Sequence, residues 1–267
     1  MVYSLLAASA NPNLRAGKDE KTGLTALHMA ISNKDTVVID ALVEAGAEID
    51  AQGGATCETP LHLATKLESF NAVAILLTHE ADPNKMNGNQ YYSALHLAAE
   101  SGSTAIVHAL LAEDAQPNLR GGEDGKAALD LATVGGHAET VTALVQHRAS
   151  LNATDKLGPT AMHAAASYNN AGIIDVLAAD GAHVDARDQK SWTPVHVASS
   201  QGYAEAVTAL MRHGGGGNHF NTEKESPLHL AVREGHCAAV TALLVGGANP
   251  NLCKDADSPL YLAVLRD

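Results

Sequence analysis

A self-similarity with a period of 32 to 34 residues runs through the chain and restricts its fold more than any other feature. Threonine, serine or alanine opens each unit, at Thr25, Thr59, Ser93, Ala127, Thr160, Thr193, Ser226 and Ser258, with spacings of 34, 34, 34, 33, 33, 33 and 32 residues. Alanine stands five residues after every opening, at Ala30, Ala64, Ala98, Ala132, Ala165, Ala198, Ala231 and Ala263. Leucine stands seventeen residues after the first seven, at Leu42, Leu76, Leu110, Leu144, Leu177, Leu210 and Leu243. A unit this short cannot bury its own apolar face, so a chain built of such units folds by stacking neighbours around a continuous core.

Each unit reads as two helices and a loop. In the seventh, Ser226 supplies a hydroxyl cap and Pro227 the first helical position, ahead of Leu228, Leu230 and Ala231 on one apolar face. Gly235 ends that helix, because the short turn to the next one calls for a residue tolerant of positive φ. Gly102, Gly136, Gly202 and Asn169 stand at the same place; Lys34 and Glu68 do not suit it, so the first two turns are expected to differ. Val240, Leu243 and Leu244 follow at helical spacing in a second helix. Small residues then lead into a polar stretch that ends on Asp50, Asn84, Asn118, Asn152, Asp185, Asn218 or Asn251, side chains expected to bond locally and turn the chain into a projecting hairpin-like loop. An alanine column suits the seam where neighbouring helices approach too closely for anything larger.

Composition agrees with many small helical layers. Apolar residues make up 46% of the chain but aromatic ones only 3%, so Leu, Val, Ile and Ala must build the core. A formal net charge of −13 argues against general nucleic-acid or anionic-membrane binding and would steer a basic partner. Cys57, Cys237 and Cys253 have no C-x-x-C spacing, which suits a reducing compartment, cytoplasmic or nuclear. Polar Ser9, Asn11 and Asn13 follow a short apolar start unlike a signal peptide, and no apolar run approaches the roughly 18 residues of a membrane span.

With Thr59-Pro60-Leu61-His62-Leu63-Ala64 and Ser226-Pro227-Leu228-His229-Leu230-Ala231, joined by Gly235-His236 and Gly247-Ala248-Asn249-Pro250-Asn251, the chain closely resembles the ankyrin-repeat family over essentially its full length. The Trp and Tyr landmarks of the tetratricopeptide repeat are missing. The resemblance implies an all-α solenoid: one array of stacked helix-turn-helix units with hairpin-like loops on one side. Val2, Leu5, Leu6, Ala10 and Asn13 match the second half of a repeat, and residues 258–267 its beginning. This suggests a segment of a longer array; degenerate half-repeats acting as caps are the alternative. Family resemblance also marks Asn84 as an acceptor for asparagine hydroxylation, a modification and not a function.

The histidine in six of the openings (His28, His62, His96, His163, His196 and His229; Asp130 and Tyr261 replace it in two) could suggest metal binding. Stacked helices lie about 8–10 Å apart, whereas zinc gathers three or four ligands at about 2.0–2.1 Å. One histidine per repeat does not converge, so these rings are expected to tie loop to helix, with the neighbouring Thr or Ser as partner. Gly214-Gly215-Gly216-Gly217 aligns with the helix exit of other units and reads as a flexible, degenerate exit, not a phosphate loop. Gly125-Lys126 lacks the rest of a P-loop, since Arg120 holds the first glycine position and Ala127 follows the lysine. Neither a catalytic residue set nor a metal or other cofactor is expected.

The function this implies is a non-enzymatic scaffold or adaptor that binds a protein partner on the concave face and hairpin tips, with no nucleic acid and no membrane insertion. A regulatory or anchoring segment of a larger enzyme, channel or transporter is the competing reading, decided by whatever sequence flanks it. On the family pattern, recognition residues lie at first-helix ends, with Lys66, Leu67, Glu100, Tyr168, Gln201 and Arg233 as candidates, and at hairpins, with Tyr92 and Trp192. Trp192 is the chain's single tryptophan, and the repeat pattern supplies no packing reason for it; it is expected beside Tyr168, either as an anchor for a partner or packed on the neighbouring loop to stiffen the hairpins.

Overall fold

The structure, a computed structural model, describes residues 1–16, 23–88, 90–154, 158–253 and 257–266. Its first helix is α1 (Val2–Ala7), followed by two short antiparallel strands, β1 (Arg15–Ala16) and β2 (Leu24–Thr25), with Arg15 opposite Thr25. The helices then run α2 (Ala26–Ser32), α3 (Thr36–Glu44), α4 (Pro60–Lys66), α5 (Phe70–Thr78), α6 (Ala94–Ser101), α7 (Thr104–Ala112) and α8 (Ala128–Val134). They continue with α9 (Ala138–Gln146), α10 (Ala161–Ser167), α11 (Ala171–Ala179), α12 (Pro194–Ser200), α13 (Ala204–Arg212), α14 (Pro227–Glu234), α15 (Cys237–Val245) and α16 (Pro259–Arg266). Every opening residue immediately precedes an even-numbered helix. The chain forms two compact units, Met1–Leu131 and Ala132–Asp267, with α8 crossing the division.

Within each unit the helices lie in two layers. In the first unit α2, α4 and α6 pack in succession, as do α3, α5 and α7. In the second, α10, α12, α14 and α16 form one layer and α9, α11, α13 and α15 the other. The alanine column lines the first layer and is buried from Ala30 through Ala231, so any larger side chain would force neighbouring helices apart. The leucine column fills the space between layers and is also buried from Leu42 through Leu243. Removing one such side chain should cost about 2–5 kcal/mol.

Three positions recur from repeat to repeat in the left-handed backbone region. At the turn between paired helices they are Lys34, Glu68, Gly102, Gly136, Asn169, Gly202 and Gly235, with φ from 52° to 76°. Thus the first two turns do not differ, contrary to the sequence expectation. Tertiary packing holds Lys34 and Glu68 in the conformation that glycine adopts elsewhere, overriding a local cost of about 1–2 kcal/mol each. At the helix exit they are Gly46, Glu80, Asp114, Arg148, Gly181, Gly214 and Gly247; two residues before an opening, Cys57, Tyr91, Gly125, Gly158, Ser191 and Lys224.

The exit asparagines and aspartates also differ from expectation. Asn84 Oδ1 accepts from the Gln116 N–H at 2.7 Å and Asn84 Nδ2 donates to the Asp114 carbonyl at 3.1 Å, both in the next repeat. Asn13, Asp50, Asn152, Asp185 and Asn218 likewise accept from the backbone of the following repeat. The local bond comes from two residues earlier, as where Asp82 accepts from the Asn84 N–H at 2.8 Å. These side chains therefore form a ladder between repeats.

The four glycines of the exit differ in how much room surrounds them. A Cβ on Gly215 would meet the Leu210 carbonyl at 2.8 Å, one on Gly216 would meet the His219 ring at 2.3 Å, and one on Gly217 would meet Ala248 at 3.0 Å. Backbone contact restricts Gly215, whereas the His219 ring beside Gly216 is partly exposed and can swing away. Residues 17–22, which hold the extra length of the first loop and its Lys18-Asp19-Glu20-Lys21 run, lie outside the described residues.

Candidate protein-interaction surface

The hairpins and first-helix ends are positioned by the recurrent histidines. Thr25, Thr59, Ser93, Thr160, Thr193 and Ser226 cap their helices from extended backbone, and the histidine is the third helical residue of each. Its Nδ1 lies 2.7–2.9 Å from the capping hydroxyl and accepts the capping residue's N–H at 3.1–3.3 Å. Its Nε2 lies 2.8–3.3 Å from the carbonyl of the residue before the next opening: Glu58, Tyr92, Lys126, Trp192, Glu225 or Asp257.

Those partners assign the tautomer. A carbonyl only accepts, so Nε2 carries the proton and Nδ1 receives both the hydroxyl and the amide. Burial lowers the pKa of His28, His62, His96 and His163, and takes His196 from 6.5 to about 4. The rings are neutral clamps with both nitrogens engaged. The same opening at Ala127 uses Asp130, whose Oδ2 accepts the Ala127 N–H at 2.9 Å and reproduces the helix cap. Among the described residues no group of three or more His, Cys, Asp or Glu is arranged to hold a metal.

In the first unit, Lys66 is exposed at the end of α4 and bonds Glu58 at 3.0 Å, while Leu67 beside it is half-buried. Tyr92 is half-buried and stacks on His96 with ring centroids 5.2 Å apart and planes 8° from parallel. Burial raises its phenol pKa, and the carboxylate of Glu100, exposed on α6, adds to the shift. The aromatic ring that faces solvent here is instead Tyr91, 65% exposed. Sequence inspection passed over Tyr91 because only its left-handed backbone, φ 51°, turns it outward.

In the second unit, Tyr168 caps the end of α10 and is 58% exposed, and Gln201 is exposed in the corresponding place after α12. Trp192 has a packing role, one of the two readings that its sequence position left open. Its ring lies 6.2 Å from that of His196 at 39°, its carbonyl accepts from His163, and its backbone N–H donates to Asp188 at 2.8 Å. The indole Nε1 is buried without a hydrogen-bond partner. Arg233, exposed on α14, pairs with the buried Glu225 and with Glu234 at 3.1 Å. Lys66 and Arg233 thus share one arrangement, a cation at the first-helix end bonded to a glutamate eight residues earlier. That spacing was the available signal for the pairs.

Charge differs between the units. Residues 1–131 contain 17 acidic and 8 basic side chains, against 13 and 9 in residues 132–267. A basic partner is therefore drawn more strongly to the first unit. No helix among the described residues is long and apolar enough to cross a membrane.

Comparison with known proteins follows the repeat pattern. The family model for ankyrin repeats (3 copies) matches residues 1–87, 85–155, 148–218 and 163–254. The ankyrin repeat domain of Bcl-3, described as a unique member of the IkappaB protein family, superposes with a TM-score of 0.75 at 29% identity, covering 84% of this chain and 99% of that one. Matching chains among solved structures number 585, so such likeness identifies an architecture shared by many proteins. No curated protein sequence matches significantly. Both the residue-level repeat and the family match lead to one conclusion: the chain belongs to the ankyrin-repeat family.

Proposed function

We propose that the chain is a non-enzymatic interaction module that binds a protein partner through its first-helix ends and hairpins, within the cytoplasm or nucleus. The observation that carries this reading is the contrast between spent and unspent side chains. The histidines, capping hydroxyls and ladder asparagines are engaged in the frame, whereas Tyr91 and Tyr168 are more than half exposed on backbone that this frame fixes. A preordered surface loses little conformational freedom on binding. The likeness to an IkappaB-family repeat domain supports a protein partner without naming one. In the first unit Lys66, Leu67, Tyr92 and Glu100 join Tyr91 in the proposed recognition set, and in the second Gln201 and Arg233 join Tyr168.

The test begins by identifying a partner through proximity labelling in native cells, then measuring affinity with purified variants. Tyr91→Ala and Tyr168→Ala are expected to weaken binding about tenfold or more each, the loss of roughly 2 kcal/mol common for an aromatic anchor, with Tm unchanged. Trp192→Ala is expected to lower Tm as well, because its ring packs on His196. Binding that survives all three changes but fails with Thr208→Arg, on the exposed face of the second helix α13, refutes the assignment.

A further inference from the structure

We propose that the seam between the hairpins at 186–192 and 219–225 is a binding site for a carboxylate, the group that an acidic residue of a protein partner would bring. Two buried donors carry the inference, Trp192 Nε1 and Asn221 Nδ2, neither of which finds an acceptor among the described residues. Asn221 is 5% exposed. Turning its amide round would not remove the deficit, because Oδ1 accepts the N–H groups of Glu223 and Glu225, both at 2.9 Å. Asp188 holds the same place in the preceding hairpin, accepts the N–H groups of Lys190 and Trp192 at 2.8 Å, and has no donor to satisfy. The turn needs only the oxygen, so the Asn221 amide nitrogen is surplus to it.

Both donors belong to one seam. The Thr222 N–H donates to the Lys190 carbonyl at 3.1 Å and sets the two hairpins side by side, with Asn221 and Trp192 close to that bond in sequence. In the first unit the Gly122 N–H donates to the Gln90 carbonyl at 2.9 Å in the same way, and there a Cβ on Gly121 would lie 2.6 Å from Tyr92 Cδ1. Asn221 and Trp192 stand where Gly121 and Tyr92 do, so the Asn221 side chain leaves the backbone against the indole.

Buried donors are rarely left unmet, and two in one seam call for an acceptor from outside. The carboxylates of these hairpins reach neither donor: Asp188 caps its own turn, Glu225 pairs with Arg233, and Glu223 is exposed. Trp192 as a whole is half-buried, and Thr222, Glu223 and Lys224 beside Asn221 are exposed. The donors therefore lie just beneath the surface, where a tilt of the indole admits an oxygen. With Glu225 matched by Arg233, exposed Arg187, Lys190 and Lys224 outnumber Asp188 and Glu223, so the seam does not share the repulsion that a net charge of −13 implies for an anion. A carboxylate offers one oxygen to each donor and, with a single charge, is less costly to dry than a phosphate.

Trp192 is the chain's single tryptophan, so its indole N–H gives one NMR resonance that reports the site directly. Acetate reads the site without a partner, so its outcome is separate from that of the protein-binding reading, on which only the acidic partner rests. Titrated with sodium acetate, the resonance is expected to shift saturably, half-way on the order of 10 mM for so small a ligand. Sodium chloride at equal ionic strength is expected to leave it in place. Asn221→Asp keeps the turn, as Asp188 does, and replaces the donor with a charge; it is expected to weaken acetate binding about tenfold or more with an unchanged melting curve. Trp192→Phe keeps a ring over His196 and removes the other donor; followed through the Thr222 amide, it is expected to weaken binding to a similar degree. A resonance that does not shift saturably overturns the proposal and leaves water as the donors' partner. An equal response to chloride, or acetate binding unchanged in either variant, overturns it as well.

Discussion

Each repeat histidine holds three polar groups in a dry site, and its value comes from being neutral there. His229→Gln keeps one acceptor and one donor but cannot place them at the ring's separation, leaving the Ser226 cap or the Asp257 carbonyl short of a partner. An expected loss of about 1–3 kcal/mol follows from the unpaired buried group, seen as a lower Tm with unchanged metal content. The column also makes stability pH-dependent. Burial holds the folded-state pKa of five histidines below the ordinary 6.5, with His196 near 4. The unfolded chain therefore binds more protons at mildly acidic pH. This stability is present above 6.5 and is lost as pH falls below it, His196 continuing to lose until about 4. Each proton taken up on unfolding contributes about 1.4 kcal/mol per pH unit. Urea titrations at pH 7, 6 and 5 are expected to show falling midpoints with more than one proton taken up; a flat profile would refute neutral burial.

At the scale of the element, the turn between paired helices has one backbone conformation whatever residue occupies it. Lys34 and Glu68 are exposed and left-handed, so Lys34→Gly and Glu68→Gly relieve strain and touch nothing else. Each is expected to raise stability by about 0.5–1 kcal/mol after the extra freedom that glycine gives the unfolded chain. The hairpins give the opposite sign. A Cβ on Gly121 would lie 2.4 Å from the Tyr91 carbonyl and 2.6 Å from Tyr92 Cδ1, so Gly121→Ala must push neighbouring hairpins apart. Denaturant melts of these three variants are expected to separate, the first two above wild type and the third below it.

For the whole molecule, stability is distributed because each repeat contacts only its neighbours, and it is expected to be weakest at the termini. Helix α1 has no buried residue and α16 buries only Pro259. Hydrogen exchange is expected to be fastest in residues 1–13 and 258–267 and slowest across 93–211 in dilute solution; uniform protection would contradict this. By itself the sequence determined the repeat, the helix pairs and the structural use of the histidines, because periodic apolar residues and capping hydroxyls act over a few neighbouring positions. Only the tertiary structure decided that Lys34 and Glu68 turn as glycine does, that the ladder asparagines reach the next repeat, and that Trp192 packs on His196 while Tyr91 faces solvent. Those outcomes depend on where the neighbouring repeat sits, and packing against it outweighs the roughly 1–2 kcal/mol by which a residue prefers one local conformation.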